Sequence, residues 1–166
     1  MAKAATARAF HSSVGVPDGN RQALTTLLNL RLADASDLHS QVKWAHWNVK
    51  GKDFYQLHLL FDSIAEHLED HIDTIAERIT SLGGIANGTV REAAAKSSIK
   101  EADLGASDGP EMLKFLVHNF AFATNAMRQS VKESDDLDDP ITADLFTTVT
   151  REMDKDLWFL EAHTQV

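Results

Sequence analysis

The chain has 166 residues, 43% of them hydrophobic and 25% charged, which suits one soluble domain with a real hydrophobic core. Its 16 Lys and Arg against 25 Asp and Glu leave a net charge of −9, favouring cations as partners and disfavouring nucleic acid unless a local basic patch exists. With no cysteine, disulfides and thiolate metal sites are excluded. No apolar run approaches the roughly 18 residues of a membrane span, and no secretory apolar region follows Met1, so no membrane partner and a cytoplasmic location are expected.

Residues 1–16 are rich in Ala, Thr and Ser without apolar period and read as a flexible N-terminal tail; residues 17–166 read as the folded domain. From Leu24, apolar or small residues recur at Leu28, Ala35, Leu38, Val42, Ala45 and Val49, a helical spacing broken only by Arg31. Asn20 is the expected cap of this first helix and Gly51 its expected stop. A second helix is expected from the cap residue Asp53, with Gln56 three positions on, through a seam of Leu57, Phe61, Ile64, Leu68, Ile72, Ile75, Ile79 and Leu82 to Gly83 and Gly84. The connection over 85–109 is too long for a tight helical hairpin, and Thr89 with Glu92 predicts a short helix inside it.

Pro110 is placed to open a third long helix through Leu113, Leu116, Val117, Phe120, Thr124, Met127 and Val131. After the acidic break 135–139, Pro140 opens a fourth, with Ile141, Leu145, Val149, Met153, Leu157 and Leu160 on its apolar face. No segment alternates like a strand. The expected fold is all-α, a four-helix bundle with a short extra helix between helices two and three.

The chemistry concentrates on the second helix. His58 and Asp62 are one turn apart, and so are Asp73 and Glu77; at about 100° per residue the four share an arc of about 100°. The two pairs lie about 22 Å apart along the axis, far beyond metal–ligand bonds of about 2 Å, so they cannot serve one ion within one chain. A two-fold axis crossing the helix midway would set His58 and Asp62 of one copy against Asp73 and Glu77 of another, and an isologous contact makes that site twice. His46, near the end of the first helix, is a further candidate ligand, and small Ala65 near the midpoint is expected to allow close approach. Imidazole with carboxylates suits iron or a similar divalent ion. Taken singly, each pair is more often a solvated helix face, and that alternative stays open on spacing alone. Di-iron sites inside a single bundle typically use Glu-x-x-His on two helices, and no Glu here is followed three residues later by His.

The run His46-Trp47-Asn48-Val49-x-Gly51-x-x-Phe54-x-x-Leu57-His58-x-x-Phe61-Asp62, with Asp73-x-Ile75-Ala76-Glu77-Arg78 and Leu82-Gly83-Gly84, resembles the Dps family of ferritin-like mini-ferritins. Thr142-Ala143-Asp144-Leu145-Phe146 and Asp154-Lys155-x-Leu157-Trp158 are similar to that family's last helix, and the resemblance covers about residues 20–163. It implies a hollow dodecamer that stores iron, with His46, His58 and Asp62 of one subunit and Asp73 and Glu77 of its partner as the catalytic iron ligands. It further implies a ferroxidase that oxidises Fe(II), preferentially with hydrogen peroxide over dioxygen, and protects against oxidative stress. Trp47 beside a ligand is a candidate interceptor of stray oxidant, with packing as the commoner role of such a Trp. His39, two turns before His46, is a candidate for ordering the ligands, against the alternative of a hydrogen-bonded structural His.

Asp139 and Asp144 fall where similar proteins admit iron through acidic pores, though Asp139 is equally placed to cap a helix. The competing reading is a DNA-binding protein that protects the nucleoid. Against it stand a tail carrying only Lys3 and Arg8 and a C-terminus without a basic extension. A shell or adhesion protein without oxidase activity is a third reading, disfavoured by the intact ligand set.

Overall fold

The computed structural model describes residues 10–165; residues 1–9, most of the expected tail, lie outside the described residues. Five helices follow in chain order: α1 (Asp18–Asn48), α2 (Phe54–Ser81), the short α3 (Val90–Lys96), α4 (Gly109–Asp136) and α5 (Pro140–Ala162). Local chemistry explains most of their ends. Asp108 and Asp139 accept hydrogen bonds from the Glu111 and Thr142 amides, and Thr89 accepts from Glu92. Pro140 stands where its missing N–H costs nothing. At the end of α2, the Gly83 and Gly84 amides donate back to Thr80 and Ile79, and Gly83 has a φ of 83°, a left-handed conformation suited to glycine.

Two expected caps differ. Asp53 precedes α2 but accepts no capping bond; its φ of −98° and ψ of 13° are not the extended geometry a capping side chain uses. α1 starts two residues earlier than its expected cap, and Asn20 instead donates from Nδ2 to the Leu137 carbonyl, 2.8 Å away, tying α1 to the α4–α5 turn.

α1 with α2 and α4 with α5 form two hairpins, joined by short loops at 49–53 and 137–139. Contacts across them fix direction. Gln41 meets Asn119 and Trp44 meets Phe115, so α1 and α4 run antiparallel. His67 meets Asp156 and Arg78 meets Asp139, so α2 and α5 run antiparallel as well. α2 and α4 are therefore parallel, and the long connection carrying α3 must cross the length of the bundle.

The core is Leu24, Leu28, Leu32, Leu38, Phe61, Ile64, Leu68, Ile75, Phe120, Met127, Phe146, Met153 and their neighbours, all essentially solvent-free. Ala65 is among them at 2% exposure, so it does not provide close approach on an outer face as expected; it is covered inside the bundle. Arg31, the interruption in the first seam, is buried beside Asp34 at an ion-pair distance of 3.2 Å. Three residues between 10 and 16 contact the bundle: the Phe10 amide donates to the Gly83 carbonyl, the Ser12 hydroxyl donates to the Ser81 carbonyl, and Val16 is buried.

Candidate metal centre

The α1–α2 turn brings His46 and His58 face to face, their ring centroids 3.8 Å apart and nearly parallel. His46 Nδ1 lies 2.8 Å from the His58 carbonyl, and His58 Nδ1 lies 2.9 Å from the His46 carbonyl. A carbonyl can only accept, so both Nδ1 atoms carry a proton, and in the neutral ring that leaves the lone pair on Nε2. Backbone thus fixes the tautomer that a metal ligand needs. Asp62 stands beside them, its Oδ1 3.7 Å from His46 Nε2.

Lys43 is a participant that motif reasoning missed. Its Nζ donates to Asp62 Oδ1 at 2.7 Å, and that hydrogen bond is the main cause holding the Asp62 carboxyl below the ordinary carboxylate range. The signal was present: Lys43 precedes His46 by three residues and so shares its helix face.

Asp73 and Glu77 lie farther along α2, exposed and away from the histidines. Among the described residues, no three His, Asp or Glu donors of this chain are gathered closely enough to hold a metal ion. The structure sets His46 against His58 and Asp62 near His46 without converging the three on one point, and it leaves Asp73 and Glu77 on open surface. Around the histidines, Trp47 and Tyr55 are 64% and 67% exposed, with Phe54 and Leu59 also bare. Such apolar surface beside polar donors is the character of a face that another molecule covers. His39 is half-buried; burial pushes its pKa down, opposed by Glu69.

The two aspartates expected near a pore separate. Asp139 is 1% exposed and its carboxylate is used: Arg78 Nη2 reaches both oxygens at 3.0 and 2.7 Å, and the Thr142 amide caps on it at 3.3 Å. Of the two roles open to Asp139, the structure gives it the buried cap, because no face of the carboxylate is left for a pore. Asp144 is exposed.

His67 and His71 on α2 have partners on α5. His67 Nδ1 is 3.1 Å from each Asp156 oxygen, and His71 Nε2 is 3.5 Å from Glu152 Oε2. Sequence gave no sign of these pairs, which join positions 89 and 81 residues apart.

Residues 25–166 match the ferritin-like domain family. The "DNA protection during starvation protein" of Agrobacterium fabrum is 37% identical over 150 residues, covering 90% of this chain and 93% of that one. Among solved structures, DpsA14 from Streptomyces coelicolor superimposes with a TM-score of 0.91 at 31% identity, over 98% of this chain and 96% of that one. A Dps protein from Vibrio cholerae, described as a member of a broad superfamily of ferritin-like diiron-carboxylate proteins, gives a TM-score of 0.87 at 28% identity, over 97% and 100%. With the helical bundle, its crossing connection and these likenesses together, the chain belongs to the ferritin-like proteins and, within them, to the Dps family.

Proposed function

We propose that this protein is a ferroxidase that assembles into a hollow shell of twelve chains and stores the iron it oxidises. Copies pair across α2, and each pairing builds two sites from His46, His58 and Asp62 of one copy and Asp73 and Glu77 of the other. The observation that carries the reading is the divided donor set. Two tautomer-fixed imidazoles and a carboxylate stand at one end of α2, two exposed carboxylates stand at the other, and neither group holds an ion alone. The bare Trp47, Tyr55, Phe54 and Leu59 support a second copy seated on this face.

In this reading the donor set selects Fe(II) as substrate, since imidazole with carboxylate suits iron and the absence of thiolate avoids softer ions. The carboxylates offset the positive charge that grows as Fe(II) becomes Fe(III). Lys43 holds the Asp62 carboxylate ionised before metal arrives and releases it to the incoming cation. With two Fe(II) supplying one electron each, hydrogen peroxide takes both electrons and two protons, its O–O bond breaks, and two waters leave. No hydroxyl radical is set free, which is why peroxide is the expected oxidant and protection from oxidative stress the expected outcome. Trp47, exposed beside His46, is positioned to intercept any one-electron leakage.

Anaerobic Fe(II) loading followed by peroxide tests the reading. Oxidation of two irons per peroxide without spin-trapped radical is expected, with slower reaction under dioxygen. One iron per peroxide with abundant radical would contradict it. Direct DNA binding is the weaker reading, because every copy adds a charge of −9 against phosphate.

A further inference from the structure

α2 and α5 present a second constellation, separate from the divided centre. His67 and His71 lie one turn apart on α2, and Glu152 and Asp156 lie one turn apart on α5; because the helices are antiparallel, His67 faces Asp156 while His71 faces Glu152. His71 is 4% exposed, and its Nε2 is buried without a hydrogen-bond partner. Buried polar atoms are rarely left this way, so the orphan nitrogen calls for a ligand. It lines a groove between the helices with Glu152, Asp70 and Asp144.

Two distances are informative. The 3.5 Å between His71 Nε2 and Glu152 Oε2 is long for a hydrogen bond between these groups. Two bonds of about 2.1 Å diverging by about 110° from one ion place their donor atoms roughly 3.4 Å apart, so the gap is the width of a shared cation. The second is the 3.1 Å from His67 Nδ1 to both oxygens of Asp156, a carboxyl 1% exposed. An imidazole anchored through Nδ1 to a buried carboxylate presents Nε2 outward, the arrangement by which proteins orient metal-binding histidines.

We propose a second divalent-metal site between α2 and α5, in which His71 Nε2 and the Glu152 carboxylate, which line the groove, and His67 Nε2, one turn before His71, hold one ion and Asp156 orients His67. Two imidazoles and one carboxylate select a transition ion such as Zn(II) or Fe(II) over Mg(II) or Ca(II), with water completing the coordination. The three donors do not converge in this structure; closure requires only that the Glu152 side chain, 55% exposed, swing toward the imidazoles, while Asp156 holds His67 and burial holds His71. The site does not depend on the function proposed above.

The test is Zn(II) binding to the assembled protein by equilibrium dialysis against a competing chelator. The double variant His46→Gly, His58→Gly, which cripples the divided centre, should retain about one tight Zn(II) per chain. Adding His67→Asn or Glu152→Gln should weaken that binding at least tenfold, and Asp156→Asn should weaken it by about 10- to 100-fold through loss of orientation. Co(II) in the same background should show a visible spectrum that Glu152→Gln abolishes. His71→Gln should remove binding as well; if that buried variant fails to assemble, the exposed positions His67 and Glu152 decide. Absence of residual Zn(II) in the double variant, or residual Zn(II) indifferent to His67→Asn and Glu152→Gln, would overturn the proposal. Equal Zn(II) in wild type and double variant, all of it lost with His67→Asn, would uphold this site while removing the divided centre.

Discussion

Asp139→Ala would remove three interactions at once: the two-oxygen contact with Arg78, the cap on the Thr142 amide and the hydrogen bond from the Thr142 hydroxyl. It would also leave the Arg78 guanidinium, 12% exposed, facing an apolar methyl. Breaking a buried pair by removing one partner costs about 3–5 kcal/mol, and the lost cap of about 1 kcal/mol overlaps that figure. Asp139→Asn keeps the cap and loses the charge, so a smaller cost of about 1–2 kcal/mol is expected. Burial pushes the Asp139 carboxyl up, but the Thr142 and Arg78 hydrogen bonds together outweigh it and hold the group below its ordinary range. A carboxyl with a depressed folded-state pKa contributes stability that is present above the unfolded value, about 3.9, and lost as pH falls through the folded value. The gap between wild type and Asp139→Asn should therefore be full at neutral pH and close in strong acid. Urea denaturation followed by circular dichroism, at matched chain concentration because assembly adds stability by mass action, measures both effects. A change under about 1 kcal/mol for Asp139→Ala, with slowed iron uptake instead, would refute the buried-cap role and return the carboxylate to a pore.

Lys43→Met should tighten anaerobic Fe(II) binding, because Asp62 Oδ1 loses its competing cation; unchanged or weaker affinity by titration would show that Lys43 assists instead. Gly83→Ala should destabilise by about 1–2 kcal/mol, since alanine is strained at a φ of 83° and its Cβ would collide with the Phe10 carbonyl oxygen. Faster proteolysis of the N-terminal segment should accompany that loss; equal protection would contradict the docking of Phe10 on Gly83. In a gel shift at pH 7.5 and about 0.15 M salt, the assembled protein should leave duplex DNA unshifted, because a charge of −9 per chain opposes phosphate; tight complexes would restore DNA binding as a direct function.

The helices were readable because their signals are local. Apolar periodicity places the buried face of α2 at Leu57, Phe61, Ile64, Leu68, Ile75 and Ile79, and Asp139-Pro140 marks a start that the structure keeps. The caps at Asp53 and Asn20 differ because a capping residue type says nothing of its backbone angles or of more distant partners such as the Leu137 carbonyl. Ala65 was misplaced for a related reason: a small side chain on the flank of a helix is covered or bare according to the neighbours, which periodicity does not describe. The pairs His67–Asp156 and Arg78–Asp139 depend on the register of α5 against α2, set by the crossing connection and invisible in spacing within one helix. The His46–His58 stack lies between these cases. Both residues flank one short turn, so their nearness was legible, but the exchange of Nδ1–carbonyl bonds that fixes their tautomers was not.

The divided centre makes a claim that mixing two inactive variants tests directly. His46→Gly with His58→Gly disables one half of every site, and Asp73→Ala with Glu77→Ala disables the other. Dissociated and reassembled together in equal amounts, about half of the dimers should pair the two types, and in each such dimer one of the two sites regains a complete donor set. Peroxide-driven Fe(II) oxidation should then recover to about a quarter of the wild-type rate, from near zero in either variant alone. No recovery, in mixed assemblies verified by mass spectrometry, would contradict a site shared between two copies of this chain.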